Sequence, residues 1–311
     1  MNDPLISIIM PAYNVERYIA AAIQSVLDQT YHTWELIVID DGATDATADI
    51  VRDFVSSDSR IRCISQNNQK LAKARNAGIK HSRGELIAFL DSDDLWIREK
   101  LELQVKALQE TAADLVFSSG FIFRENNVLD ESWTFASSVG GFAGAELFME
   151  LMLGNRIPVL SVVTRRKVLD EVAGFDEDPR YGGCEDYDLW LTIARRGYRF
   201  YGMRERLVRY RLRSDSMSSQ MAPMLKAELA VIEKHQRGAT VDRRRLKNLR
   251  GRAACAILDQ YFLAARDGHL GRAAPYFLEA FEMSPLTVCR PRRLGAVVKY
   301  GILAMSPAKR F

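Results

Sequence analysis

Short apolar runs alternate with helical segments along the first two thirds of the chain. Buried strands are predicted at residues 6–10, 36–39, 61–64, 86–90, 115–117, 159–164, 200–203 and 207–212. Apolar residues at helical spacing between these runs predict helices, among them residues 71–79, 97–110 and 187–196. Strands that alternate with helices in this way indicate βαβ units and a mostly parallel sheet, so the predicted fold class is α/β.

Polar residues follow three of the predicted strands directly. The three segments are Pro11-Ala12-Tyr13-Asn14, Asp40-Asp41-Gly42 and Asp91-Ser92-Asp93-Asp94. Ligands of parallel sheets bind outside the carboxyl ends of the strands, so these segments are expected to line one site. Asn14 is also expected to cap the helix that follows the first strand.

The third segment carries three carboxylates, Asp91, Asp93 and Asp94, within four residues. Such carboxylates repel each other unless a cation lies among them. Oxygen ligands at a strand end suit a hard divalent ion, Mg²⁺ or Mn²⁺, that also holds phosphates. The alternative is that these residues cap a helix that begins near Leu95.

The last third of the chain has a different pattern, with helices only. They are predicted at residues 227–235, 246–266, 273–283 and 294–305, which divides the chain into domains at residues 1–218 and 219–311. From residue 200 onward there are 22 Lys and Arg against 9 Asp and Glu, although the whole chain has a net charge of only +3. This excess predicts peripheral contact with an anionic membrane through basic C-terminal helices. A packing or dimer surface is the alternative, and the oligomeric state stays open.

Composition indicates the general class of protein and the cellular compartment in which it is expected. With 48% hydrophobic and 27% charged residues the chain is typical of a globular protein, and no run of about 18 apolar residues predicts a membrane span. The N-terminus lacks the pattern of a secretory signal, and the four cysteines are too far apart for zinc or a disulfide framework. A cytoplasmic protein is expected, and no nucleic-acid partner is predicted.

Six motifs occur in an order that resembles the inverting glycosyltransferases of family 2, which have the GT-A fold. They are SIIMPAYN at residues 7–14, VIDDGATD at 38–45, ARNAG at 74–78, FLDSDD at 89–94, GFD at 174–176 and EDYDLWL at 185–191. The resemblance covers residues 5–215. It implies a three-layer α/β/α domain with a C-terminal helical extension, and a nucleotide-sugar donor.

The resemblance also implies which residues hold the donor. Asp40 is expected to accept the N–H of the base, which favours a UDP-sugar, and Arg75 to reach the diphosphate or base. Other donor-binding residues implied are Pro11, Ala12, Tyr13, Asn14, Glu16, Asp41, Asp91 and Ser92. Asn76 is expected to order a loop, and the turn at Gly42 to let the backbone approach the nucleoside.

The resemblance also implies roles for carboxylates at the metal site and on the acceptor side. Asp93 would bind Mn²⁺ or Mg²⁺ directly, while Asp91 holds the ribose or a metal-bound water and Asp94 caps a helix. On the acceptor side, Asp186 is expected to act as the general base in the first turn of a helix, with Glu185 beside it to bond the acceptor. The alternative for both is that they only cap the helix.

One position departs from the family pattern. Arg213 stands where many members have a His that contributes to the metal or the diphosphate. An arginine cannot ligate a cation, so Arg213 either clamps the diphosphate or leaves the metal site to be completed by water.

The sequence therefore predicts transfer of a sugar to a hydroxyl of a glycan or lipid-linked glycan acceptor, in cell-surface polysaccharide synthesis. Two other classes stay open. One is a phosphohydrolase of the haloacid dehalogenase kind, which also places Asp-x-Asp after a buried strand. The other is a non-catalytic nucleotide-sugar-binding or helical interaction protein.

Overall fold

The computed structural model describes residues 3–124, 134–135, 138–213, 216, 220–236, 243–266, 270–291, 293 and 296–297. The chain divides into two compact units, Met1–Asp215 and Ser216–Phe311. The first unit carries the sheet and all six motifs, and the described elements of the second are helices.

Ten strands of the first unit form one mixed sheet. They are β1 (Ile6–Ala12), β2 (Trp34–Asp40), β3 (Ile61–Ser65), β4 (Leu86–Phe89), β5 (Leu95–Trp96), β6 (Leu115–Arg124), β7 (Thr134–Phe135), β8 (Gly140–Phe142), β9 (Val163–Arg165) and β10 (Phe200–Leu212). The main path runs β3-β2-β1-β4-β9-β6-β10-β5, with β7 on β6 and β8 on β10. The pairs β3–β2, β2–β1, β1–β4 and β6–β10 are parallel, and β9 joins β4 to β6 in antiparallel pairing.

Helices cover the sheet as the apolar periodicity predicts. They are α1 (Ile19–Leu27), α2 (Thr47–Ser57), α3 (Leu71–His81), α4 (Lys100–Glu110), α5 (Gly144–Leu151), α6 (Arg166–Val172) and α7 (Glu185–Arg195). Every residue of β1 and β2 is buried, which is expected for parallel strands that are covered on both faces. A Cβ on Gly78 would lie 2.3 Å from Ile9 Cγ2, so this glycine lets α3 lie close against β1. The α/β fold class is confirmed.

Several predicted element boundaries are wrong. Residues 159–161 form a 3₁₀ turn rather than the start of a strand, and Pro158 precedes that turn. The two late strands are one strand, β10, whose pairing with β6 is irregular between Met203 and Val208. Helix α4 begins at Lys100 rather than at residue 97, because Leu95 and Trp96 pair with β10 as an edge strand.

Neither predicted cap is observed. Asn14 lies five residues before α1, in a left-handed conformation (φ 51°), and its side chain binds another loop. Asp94 does not cap α4, because it lies before β5 and accepts a hydrogen bond from the backbone of Arg211. In both cases a contact that is distant in sequence replaces the local one.

The second unit contains α8 (Met221–His235), α9 (Arg243–Arg266), α10 (Leu270–Met283) and α11 (Pro285–Val288). Within it α9 packs against α8, α10 and α11, and Tyr261 and Ala273 form a small apolar core. Most of the predicted helix at residues 294–305 lies outside the described residues. None of the described helices combines the length and the apolar character that crossing a bilayer requires.

Candidate active site

The loops that follow β1 and β2 are joined by side-chain hydrogen bonds to backbone groups. Asn14 Oδ1 accepts from Thr44 N at 2.8 Å, and Glu16 Oε2 accepts from Ala46 N at 2.9 Å. Asp45 Oδ2 in turn accepts from Glu16 N at 3.1 Å. Asn14 and Glu16 therefore hold the two loops together at the carboxyl edge of the sheet, where a ligand of a parallel sheet binds.

The aspartates at the end of β2 shape the next turn. Asp40 Oδ1 accepts from Ala43 N at 2.9 Å. Both oxygens of Asp41 accept hydrogen bonds from residues 66–70, including the backbone N–H groups of Gln69 and Lys70. Gly42 has φ 79° and lies so close to Asn68 that a Cβ would be 3.0 Å from its backbone nitrogen. The Asp41 carboxylate thus positions this loop, and its contact with the donor stays a prediction.

Arg75 bridges two motifs that are far apart in sequence. Its guanidinium is 2% exposed and donates from Nη2 to Asp91 Oδ1 at 2.7 Å and from Nη1 to Glu185 Oε1 at 2.8 Å. Burial would lower the pKa of Arg75, but the two carboxylates outweigh it and raise the pKa above its usual value. Arg75 thus joins the turn after β4 to α7, and its contact with the donor stays a prediction.

Glu185 is held by the same bridge. Its Oε2 also accepts from Gly183 N at 2.6 Å, and the residue is 4% exposed. A bond from Glu185 to the acceptor stays a prediction. Asn76, one residue after Arg75, bonds both backbone groups of Phe175 and so orders the loop before α7, as expected.

Asp186 lies beside Glu185 in the first turn of α7 and is half-buried. Asn155 Nδ2 contacts its two carboxylate oxygens at 3.2 and 3.3 Å, and Tyr187 N donates to Oδ1 at 2.6 Å. Burial and the charge of Glu185 raise the pKa of Asp186 to about 7, against the opposing effects of Arg75, Tyr187 and Asn155. A carboxylate with such a pKa is suited to take a proton near neutral pH.

Asp93 and Asp94 occupy different environments. Asp93 is partly exposed, with a side chain that is 23% accessible, whereas Asp94 is fully buried. Asp94 Oδ1 accepts from Arg211 N at 2.7 Å, and its Oδ2 has no hydrogen-bond partner. Burial and the nearby Asp91 raise the pKa of Asp93, and burial, Asp93 and Asp91 raise that of Asp94 well above its usual range. A cation near this turn would relieve the repulsion between these carboxylates.

Two arginines of β10 and the segment after it surround this turn. Arg213 Nη1 lies 3.0 Å from Asp93 Oδ2, and Arg211 Nε donates to the backbone oxygen of Asp93 at 2.7 Å. The ring of Tyr18 lies under both guanidinium groups, at 4.9 Å for Arg211 and 4.6 Å for Arg213. Arg213 is thus placed at the carboxylate that the sequence predicts to bind metal.

The donor set fits a divalent ion that is held jointly with a nucleotide. Within the described residues, no three His, Cys, Asp or Glu side chains are arranged to hold a metal by themselves. Ions such as Mg²⁺ in nucleotide sites, however, use one or two carboxylates together with substrate phosphates and water. Asp93, with oxygen-only chemistry and partial exposure, meets that requirement, and Asp91 stands two residues away.

The remaining predicted donor residues lie at the same edge of the sheet. Pro11 and Ala12 are buried in β1, and Ser92 is buried in the turn after β4. Tyr13 is 49% exposed, which leaves its ring open to a planar ligand. At this edge of the sheet the backbone segments are therefore buried, and the aromatic ring of Tyr13 is exposed.

Three residues at the site were not predicted from the sequence. Asn155 holds Asp186, Arg211 holds the turn at Asp93 and Asp94, and Tyr18 stacks on the two arginines. None of them belongs to a motif, because their partners are 31 or more residues away or on another strand. In the sequence this segment is marked only by Arg213, which departs from the family pattern two residues after Arg211.

An α/β sheet with acidic loops at its carboxyl edge, together with a carboxylate of raised pKa at Asp186, is the arrangement expected of a transferase with a nucleotide-bound donor. The model of the family described as glycosyl transferase family 2 matches residues 7–161. Two Escherichia coli relatives are both described as UDP-Glc:alpha-D-GlcNAc-diphosphoundecaprenol beta-1,3-glucosyltransferases. WfgD is 38% identical over 198 residues (63% of this chain, 72% of the relative), and WfaP is 32% identical over 216 residues (69% and 80%).

The chain therefore belongs to glycosyl transferase family 2, as its motifs indicate. Solved structures share the fold at low sequence identity. The mannosyltransferase PcManGT from Pyrobaculum calidifontis, in complex with GDP-Man and Mn²⁺, has a TM-score of 0.59 and 18% identity over 98% of this chain and 87% of that one. S. aureus TarS 1-349 in complex with UDP has a TM-score of 0.57 and 15% identity over 95% and 90%. The phosphohydrolase and the non-catalytic alternatives find no support.

Proposed function

We propose that the protein transfers a sugar from a UDP-sugar to a hydroxyl of a lipid-linked glycan, with inversion at the anomeric carbon. The observation that carries this proposal is the placement of Asp186. It lies in the first turn of α7, and its neighbour Glu185 is joined through Arg75 to Asp91 on the donor side. The bridge fixes the helix that carries Asp186 relative to the loop that carries Asp91.

Asp186 is proposed to take the proton of the attacking hydroxyl. An inverting displacement needs a base on the side of the sugar opposite the leaving diphosphate. The amide of Asn155 holds the carboxylate in place, and burial keeps its pKa near 7, where it is both ionised and basic enough. We assign Asn155 as a positioning residue for this base.

The donor is proposed to bind at the loops after β1, β2 and β4. Asp40 would accept the imide N–H of a uracil, with the exposed ring of Tyr13 beside the same edge. Asp93 would hold Mn²⁺ or Mg²⁺, with Asp91 in support. A bound ion there would stabilise the negative charge of the departing diphosphate as a Lewis acid. The structural relative that was solved with GDP-Man and Mn²⁺ supports a divalent ion in this fold.

The acceptor is proposed to be a sugar carried on a lipid diphosphate. The two Escherichia coli relatives are described as acting on GlcNAc-diphosphoundecaprenol with UDP-Glc, which supports both substrate classes for this chain. This would place the protein in cell-surface polysaccharide synthesis, at the inner face of the membrane.

Replacing Asp93 with Ala is expected to abolish metal-dependent donor binding. Thermal shift of the wild-type protein with a panel of sugar nucleotides and Mn²⁺ should show stabilisation by UDP-sugars, about 2.7 kcal/mol at a ligand concentration of 100 Kd. Asp93→Ala should lose the part of this shift that EDTA removes from the wild type. Asp53→Ala, at an exposed carboxylate of α2, is the control and should behave as the wild type. Equal Mn²⁺-dependent shifts in Asp93→Ala and the wild type would exclude Asp93 as a ligand.

Membrane contact through the basic C-terminal region is proposed as well. Co-sedimentation with anionic vesicles is expected at low salt and should weaken at high salt, because the attraction is electrostatic. Neutral vesicles should bind little. Equal and negligible sedimentation with both vesicle types at low salt would refute the contact.

A further inference from the structure

Arg213 forms an ion pair with the residue that is proposed to bind the metal. Its Nη1 lies 3.0 Å from Asp93 Oδ2, and both side chains are largely buried, at 13% and 23% accessible. The ring of Tyr18 lies 4.6 Å from the Arg213 guanidinium and adds a cation–π contact. Asp93 is thus already neutralised by a cation of the chain itself.

A divalent ion and the guanidinium compete for the same carboxylate. Both are cations, and at a few ångströms in a partly buried site their repulsion is substantial. A metal that arrives alone must therefore either bind beside the guanidinium or displace it from Asp93, and both cost electrostatic free energy. Asp94 is a poor substitute partner for a displaced Arg213, because it is buried and its Oδ1 already accepts a hydrogen bond from Arg211 N at 2.7 Å.

A nucleotide diphosphate lowers the electrostatic cost of bringing a divalent ion to Asp93. It brings negative oxygens that can pair with Arg213 and, at the same time, ligate the metal. Arg211 differs from Arg213 in this respect, because its N and Nε are bonded to Asp94 and to the backbone oxygen of Asp93. Arg211 shapes the turn through these bonds, whereas Arg213 Nη1 contacts the carboxylate that is proposed to bind the metal.

We infer that Arg213 is an internal counter-ion that occupies Asp93 in the absence of donor, so that the divalent ion binds together with the nucleotide diphosphate and not before it. The inference rests on the proposed function of Asp93 as a metal ligand. Of the alternatives that the sequence left open, it keeps the contact of Arg213 with the diphosphate and adds an earlier ion pair with Asp93. By linkage, metal and nucleotide then strengthen each other's binding by the same factor.

The test is Mn²⁺ binding to the full-length protein, measured from the electron paramagnetic resonance signal of free Mn²⁺, with and without UDP. Without UDP, Arg213→Gln should bind Mn²⁺ about 10-fold more tightly than the wild type, within the roughly 5–150-fold range of such couplings. Arg213→Lys keeps the positive charge and should stay close to the wild type. Arg209→Gln is the matched control and should leave Mn²⁺ affinity unchanged. It removes a charge on β10, the strand that precedes Arg213, at the position that pairs with Leu95 of β5.

With UDP, the wild type should gain Mn²⁺ affinity by a larger factor than Arg213→Gln. Asp93→Ala with UDP gives the baseline for Mn²⁺ that UDP binds in solution. The inference is overturned by equal Mn²⁺ affinities of the wild type and Arg213→Gln without UDP, or by an equal gain in Arg213→Lys. The proposed metal site itself is overturned if the wild type, in the presence of Mn²⁺, binds UDP no more tightly than Asp93→Ala does. This result differs from the two above, so failure of the inference and failure of the metal site are distinguishable.

Discussion

Asp186→Asn is expected to lower kcat by about 10²–10⁴-fold, the usual contribution of a general base, while donor affinity stays at the wild-type value. The amide is nearly isosteric with the carboxylate and keeps oxygen and nitrogen near Asn155, but it cannot take the proton of the acceptor. Transfer is measured as UDP release with a lipid-linked GlcNAc acceptor, and donor binding by calorimetry. Asp53→Asn is the control for loss of a carboxylate on an exposed helix face.

The pH dependence of kcat/KM distinguishes a general base from a residue that only binds substrate. With a pKa of about 7 for Asp186, kcat/KM should rise tenfold per pH unit below pH 7 and level off above it, because only the ionised carboxylate is active. Asn155→Ala removes a donor that favours the ionised form, so the midpoint should move to higher pH. A flat profile from pH 5 to 8, or near-normal turnover of Asp186→Asn, would mean that another group is the base.

The second large effect is expected at Arg75 and concerns stability. Arg75→Met removes the common partner of Asp91 and Glu185 and leaves Glu185 as an unpaired buried charge. Breaking such a buried pair costs about 3–5 kcal/mol, which corresponds to a Tm decrease of roughly 6–20 °C for a unit of this size. Arg52→Met, at an exposed pair with Asp49, is the control and should cost less than about 1 kcal/mol.

A double variant tests whether the cost comes from the unpaired charge. Arg75→Met combined with Glu185→Leu leaves no buried charge at Glu185, so its destabilisation should be smaller than the sum of the two single variants. Stability is measured by urea denaturation, with the unfolding slope as a check on two-state behaviour. Strict additivity of the two free energies would show that Arg75 and Glu185 are not energetically coupled, and the bridge between donor and acceptor sides would lose its support.

The apolar runs predict the central sheet well because its strands are buried on both faces. In β1 and β2 every residue is inside, so a continuous apolar run marks the strand without ambiguity. Residues 159–161 are equally apolar, yet they form a 3₁₀ turn whose burial comes from tertiary packing. Burial alone therefore does not distinguish a strand from a compact turn.

The motifs locate the site, but they do not disclose which side chains pair within it. Arg75 and Glu185 are 110 residues apart, and only the fold brings them to 2.8 Å. For the same reason the motifs do not show that Arg75 and Glu185 are partners of each other, and their contacts with substrates stay predictions. Asp94 likewise has the composition of a helix cap, but the N–H that it binds belongs to Arg211 on a distant strand.

The most direct test of the proposed chemistry is the anomeric configuration of the product. The wild-type protein is supplied with α-configured UDP-sugars, starting with UDP-glucose, and a GlcNAc-diphosphate lipid, and the product is analysed by proton NMR. Direct attack by a hydroxyl that Asp186 deprotonates predicts a β-linked product, and its formation should disappear in Asp186→Asn. An α-linked product would contradict the single displacement and the role of Asp186 as its base.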